Sequence, residues 1–283
     1  MSASIRQTAA AVALPLALGM TLTACGADTG SSGAAVKAGC KPIHTFSTVQ
    51  DKQLTVAVYV SPPYSVQKPG GVFGGVDGDI IQRIAQMECL KLVEKPVAGA
   101  ALIESVKSKR ADVALGGIYR TPERAQILGL TSTLYRDGMA FIGKNKATTI
   151  EDVKGKTVGV IQGYLWNADL QKVLGSSHVK IYQSSDGLVS DLKNGRLDQG
   201  VLTTSEAGYR AQQNPAAKLQ VGQVAPDARV AASTAPGEVV FALTKGNTKM
   251  LEAFDEDIQA LLKNGAVAKA LTGNGISASS AGS

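Results

Sequence analysis

The chain has 283 residues, 44% of them hydrophobic and 18% charged, with a formal net charge of +6. That apolar share excludes an intrinsically disordered protein, and the length allows two modest domains or one large one. The basic residues are scattered rather than clustered, so no nucleic-acid partner is expected.

The first predicted element is a secretory signal over residues 1–24, with Arg6 as its basic residue and a run of apolar and small residues from Thr8 to Ala24. The run is too short and Ala-rich for a membrane span, which takes ~20 strongly apolar residues. Leu22-Thr23-Ala24-Cys25 resembles the lipobox of bacterial lipoproteins. The resemblance implies acylation of Cys25 and a mature chain anchored through lipid to the extracytoplasmic face of the cell membrane. An uncleaved anchor and an ordinary secreted protein are the alternatives. Gly26-Ala27-Asp28-Thr29-Gly30-Ser31-Ser32-Gly33 is a flexible small-residue linker, and residues 25–50 as a whole read as a tether.

Cys40 and Cys89 are an even pair in an exported, oxidising setting, which predicts a disulfide. Two separate buried thiols are the other reading. No metal or cofactor is expected. His44 and His178 stand far apart without HxH or CxxC spacing, and no further ligand lies near His44 and Cys40 in sequence.

From Leu54 short apolar runs alternate with helical patterns. Leu54–Val60 reads as a strand ended by Ser61-Pro62-Pro63, and Asp79–Glu88 as a helix. Lys91–Val97 (strand), Ala101–Lys109 (helix) and Ala111–Gly116 (strand) follow. Thr121 is a good N-cap and Pro122 suits the first helical position, so a helix starts there with Arg124 in its first turn. After the polar break Ile150–Lys156 a second set begins. Its members are Thr157–Ile161 (strand), Leu165–Leu174 (helix), Val179–Tyr182 (strand), Gly187–Asn194 (helix) and Leu197–Thr203 (strand). Lys218–Val221 and Val239–Thr244 are further strands. Thr248–Asn264 is a long helix closed by Gly265, and the residues from Ile276 on read as a frayed tail. This order means βαβ units and mainly parallel sheets, an α/β fold of two lobes.

Ligands of open α/β sheets bind beyond the C-terminal strand ends. That rule selects Tyr59, Tyr64, Tyr119, Arg120, Gln162, Tyr164 and Trp166, which include four of the seven tyrosines and the single tryptophan. An arginine at position 124, beside free N–H groups of a helix start, can clamp a carboxylate or phosphate; the local sequence alone favours one that points to solvent or pairs with a nearby acid.

Gly75-Val76-Asp77-Gly78-Asp79-Ile80 resembles a signature of the extracellular solute-binding proteins of polar amino-acid ABC transporters. So do Arg110-Ala111-Asp112-Val113-Ala114-Leu115-Gly116-Gly117 with Thr121-Pro122-Glu123-Arg124, Asp152–Val160, and Asn194-Gly195-Arg196-Leu197-Asp198. The resemblance runs from about Asp51 to Leu271. It implies a type II periplasmic-binding-protein fold with crossovers near Leu134–Gly138 and Gly237–Val240. One lobe would then take residues 51–136 with 238–275, the other 137–237, with 276–283 as a disordered tail. It also implies that Arg124 clamps a ligand carboxylate, helped by Gly117, Tyr119 and Thr121. Relatives usually carry an ammonium-binding aspartate where this chain has Thr203-Thr204-Ser205, and an aromatic near Gly99. A carboxylate with a ring or bulkier body is therefore a serious alternative to an ordinary amino acid.

The leading reading is a monomeric, lipid-anchored receptor that hands a small polar solute to an ABC permease. An exported dehydratase-like enzyme on the same fold and a ligand-sensing subunit are the alternatives. No nucleophile–base constellation supports the enzyme.

Overall fold

A computed structural model describes residues 36–69 and 72–282; the signal, Cys25 and the linker to Gly33 lie outside them. In the first lobe β1 (Gln53–Val58) leads. Its Leu54, Val56, Ala57 and Val58 are fully buried, because the strand is covered on both faces. A hairpin of β2 (Val66–Gln67) and β3 (Phe73–Gly74) feeds α1 (Gly75–Met87), which buries Ile80, Ile81 and Ile84 along one face. Then come β4 (Lys91–Pro96), α2 (Gly99–Lys107), β5 (Val113–Leu115), α3 (Pro122–Ile127) and β6 (Leu128–Leu130).

β7 (Tyr135–Asp137) leaves that lobe. The second is built from β8 (Met139–Gly143), β9 (Val158–Ile161), α4 (Asn167–Leu174), β10 (Val179–Tyr182) and α5 (Ser185–Lys193). It ends with β11 (Gln199–Thr203), α6 (Thr204–Gln213) and β12 (Gln220–Gln223). β13 (Gly237–Val239) returns, and β14 (Ala242–Thr244), α7 (Thr248–Lys263) and α8 (Ala266–Gly273) complete the first lobe.

The two five-stranded sheets have the orders β4-β1-β5-β14-β6 and β10-β9-β11-β8-β12. β1 is parallel to β4 and β5, and β9 to β10 and β11, while β14 and β8 run antiparallel to their neighbours. β7 and β13 pair antiparallel, Tyr135 opposite Val239 and Asp137 opposite Gly237, and form the two crossovers. The fold is α/β, with two βαβ lobes joined by two crossovers.

Three expectations need correction. The apolar run Val239–Thr244 is not one strand: Val239 belongs to the crossover ribbon and Ala242 to the main sheet. Between them Phe241 N–H donates to Thr131 Oγ1 at 3.0 Å. The stretch after Ile276 is docked: Ile276 is 8% exposed, Gly282 N–H donates to Leu134 O at 3.0 Å, and Ala281 bridges to Tyr135. The later part of the tether is held too. Phe46 meets Phe254 edge-on at 6.2 Å, and Val49 N–H donates to Asp112 Oδ1 at 2.6 Å.

Cys40 and Cys89 are joined as a disulfide across 49 residues, fastening this segment to the end of α1. A loop of that length confines the unfolded chain, by about 4 kcal/mol in the entropy model. Urea unfolding of the Cys40→Ser/Cys89→Ser double variant should show most of that loss. An unchanged midpoint would mean that packing alone holds the segment.

Candidate functional site

Tyr59, Tyr64, Gly117, Tyr119, Arg124, Gln162, Tyr164, Trp166 and Thr203 line one cleft between the lobes, with Ser61, Gly99, Leu102 and Ile103. It holds about 650 Å³ including its open mouth. The strand ends deliver these residues: Tyr59 to Tyr64 follow β1, Gly116 to Tyr119 follow β5, Gln162 to Trp166 follow β9, and Thr203 closes β11. Thr121 is not among the lining residues. Its Oγ1 accepts the Arg124 N–H at 3.2 Å as the N-cap of α3, so it positions Arg124. Arg120 also turns away, donating to Glu238 at 2.7 Å and Thr131 O at 2.5 Å.

Arg124 is held by one internal bond, Nη1–H to Tyr119 O at 2.5 Å, and pairs with no carboxylate among the described residues. Desolvation lowers its pKa from the usual guanidinium range, a penalty that an anion would relieve. From the other lobe, Trp166 is 2% exposed and its Nε1–H has no hydrogen-bond partner. Buried donors left unmatched cost about 1–3 kcal/mol each. Trp166 meets Tyr164 edge-on at 5.1 Å. Burial pushes Tyr59 up to about 12 and raises Tyr64, Tyr119 and Tyr164 well above the ordinary phenol value, so all four are neutral at pH 7.

Two acids behind this wall escape sequence reasoning. Glu206 is 1% exposed and accepts the Tyr164 hydroxyl at 2.6 Å; burial raises its carboxyl. Asp137, on β7, accepts the Tyr64 hydroxyl and the Gly138 N–H at 2.8 Å, and burial raises it likewise. Thr203 Oγ1 accepts the Glu206 N–H at 3.1 Å and also meets the Tyr64 hydroxyl. Thr203 followed by Glu206 is the T-x-x-E signature of a helix start, the one sequence signal that points to α6 and to Glu206. Neither acid is among the lining residues, so the one charged side chain that lines the cleft among the described residues is Arg124.

Gly99 packs beside Tyr59: a Cβ there would stand 3.5 Å from the Tyr59 ring, at ordinary van der Waals contact.

Asp77, at the start of α1, ties the site together. Its carboxylate accepts Gly116 N–H at 3.0 Å, Gly117 N–H at 2.8 Å and Tyr135 O–H at 2.6 Å, linking the β5 loop to the crossover. Full burial outweighs these donors and pushes the carboxyl up to about 6. Between an unfolded value near ~4 and that value, the folded chain holds more proton than the unfolded one. Stability should therefore fall as pH rises from about 4 to about 6, by up to about 3 kcal/mol from this group. Melting curves of wild type and Asp77→Asn across that window check it; parallel curves would mean that Asp77 titrates normally.

Residues 54–273 match the bacterial extracellular solute-binding proteins, family 3. The histidine-binding periplasmic protein of Escherichia coli (strain K12) is 32% identical over 149 residues, 48% of this chain and 54% of that protein. The chain thus spans about half the length of this curated relative. The putative ABC transporter arginine-binding protein 2 of the same organism is 28% identical over 210 residues, 72% of this chain and 82% of that one. Among solved structures, an ancestral arginine-binding protein bound to glutamine superposes with a TM-score of 0.70 at 26% identity, over 80% of this chain and 99% of that one. An amino acid ABC transporter substrate-binding protein from Streptococcus pneumoniae, bound to L-arginine, shares the fold with a TM-score of 0.71 at 23% identity, over 79% and 94% of the two chains.

Proposed function

The chain belongs to family 3 of the bacterial extracellular solute-binding proteins, and on that premise we propose that it is the receptor of an ABC importer, anchored through lipid on Cys25. It captures a small carboxylate-bearing solute between its lobes and hands it to a permease. The single observation that carries this reading is the cleft's donor set. Arg124 from one lobe has no carboxylate partner, the buried Trp166 N–H from the other has no acceptor, and the two residues line the same cleft. A carboxylate bound at Arg124 would supply its missing partner, and one that also reached the Trp166 N–H would draw the lobes together. The relatives by name bind amino acids, which supports an amino acid or a close analogue. Apart from Arg124 the lining is aromatic, apolar or neutral polar, which favours a ligand whose side chain is apolar or aromatic. We read the protein as a binder rather than an enzyme, and as a monomer.

A thermal-shift screen of amino acids, amines and aromatic carboxylates against the detergent-solubilised mature protein tests the proposal. A carboxylate ligand present at a hundred times its Kd should stabilise by about 2.7 kcal/mol. Amines without a carboxylate should do nothing. Stabilisation by amines alone would overturn the reading.

A further inference from the structure

The sequence offers His44 no metal-ligand partner nearby, yet the fold brings two carboxylates to it from distant positions. Glu88 follows the last turn of α1 and Asp257 lies on α7; they are 3% and 1% exposed. One donor atom from each of His44, Glu88 and Asp257 falls within 4.8 Å of the others. We propose that these three residues bind a divalent transition-metal ion of the zinc type, at the end of α1 that points away from the cleft.

The imidazole is arranged as a ligating histidine requires. Its Nε2 lies 3.1 Å from Glu256 Oε2, so the tautomer protonated on Nε2 donates to an outer carboxylate. That leaves the Nδ1 lone pair facing Glu88 Oε1 at 2.8 Å and Asp257 Oδ1 at 4.0 Å. A metal-ligating histidine usually donates its other ring N–H to a carboxylate in this way. Ligand atoms on a tetrahedral zinc ion at ~2.0–2.1 Å stand ~3.3 Å apart, between the two separations found here. Imidazole with carboxylates suits zinc, manganese and their neighbours rather than calcium or copper(I).

The competing arrangement is a protonated histidine pairing with Glu88 and Glu256. It satisfies those two carboxylates but leaves Asp257 Oδ2 buried with no hydrogen-bond partner. It also leaves three carboxylates around one cation. A divalent ion supplies the missing charge and, chelated by both Asp257 oxygens, the missing partner. The Glu88 Oε2 atom already accepts the His44 backbone N–H at 3.0 Å, so the ion would fasten the same segment that the neighbouring disulfide holds.

The test is calorimetric titration of Zn²⁺ into chelator-stripped mature protein, with Co²⁺ absorption as a spectroscopic check of imidazole and carboxylate ligation. One saturable site is expected, with affinity reduced at least ~30-fold in His44→Gln and Asp257→Asn. Glu256 is exposed, so Glu256→Gln keeps the fold and should weaken binding by about 10-fold through loss of the outer carboxylate alone. Unchanged affinity in all three variants would place the ion elsewhere and overturn the proposal. So would a wild type that takes up no Zn²⁺ while pH alone shifts its melting temperature, since protons would then fill the site.

Discussion

Replacing Arg124 with alanine should weaken binding of the carboxylate solute by about 2–5 kcal/mol, most of it from leaving the ligand's charge unpaired in a closed cleft. The melting temperature of the empty protein should move by no more than about 2 °C. The reason is structural. Arg124 packs on a short helix, makes one bond to Tyr119 O, and neutralises no acid among the described residues, so the fold asks little of its charge. Removing it even relieves a desolvated cation. Titration of both proteins, followed by Trp166 emission, separates binding from folding. Equal affinities would make Arg124 a packing residue and the cleft no anion site.

Gly117→Ala should cost about 2–5 kcal/mol of stability and abolish ligand binding with it. The backbone at Gly117 has φ +72°, a region that L side chains occupy at a cost of about 1–3 kcal/mol. The new Cβ would also lie 2.7 Å from Tyr64 Cδ2. That ring cannot retreat: it is 1% exposed, stacks on Tyr135 at 5.9 Å, and its hydroxyl is bonded to Asp137 and Thr203. Overpacking of this kind adds about 1–3 kcal/mol. Because Tyr64 bonds to the crossover and Gly117 N–H bonds to Asp77, the disturbance reaches loop and crossover together. Denaturant unfolding gives the first number and calorimetry the second. A variant as stable as wild type would show that the loop has more freedom than its contacts imply.

What the sequence made legible was local. Thr121 and Pro122 announced α3, Gly265 closed α7 as a left-handed residue, and the apolar runs at β1, β9, β10 and β11 marked the strands whose ends carry the cleft. Features that depend on two distant segments were hidden. Met139–Gly143 is a fully buried central strand, but five apolar and small residues give no period to tell strand from helix. Val239–Thr244 is one apolar run that serves two sheets, and nothing in its composition marks the break. Asp137 and Glu206 look like ordinary surface acids until the fold closes tyrosines over them. The tail from Ile276 is poor in apolar residues, yet backbone bonds to Leu134 and Tyr135 suffice to dock it. His44, Glu88 and Asp257 have no spacing that any motif would detect.

The central claim is that the cleft recognises a carboxylate through Arg124 and Trp166. It is tested most directly by titrating the stabilising acid found in the screen, and its primary amide, against the wild-type protein while recording Trp166 emission. The acid should give a saturable emission change, and the amide should bind at least ~30-fold more weakly because it forfeits the charge-assisted contact. Equal affinities for acid and amide, or binding of the acid with unchanged Trp166 emission, would contradict it.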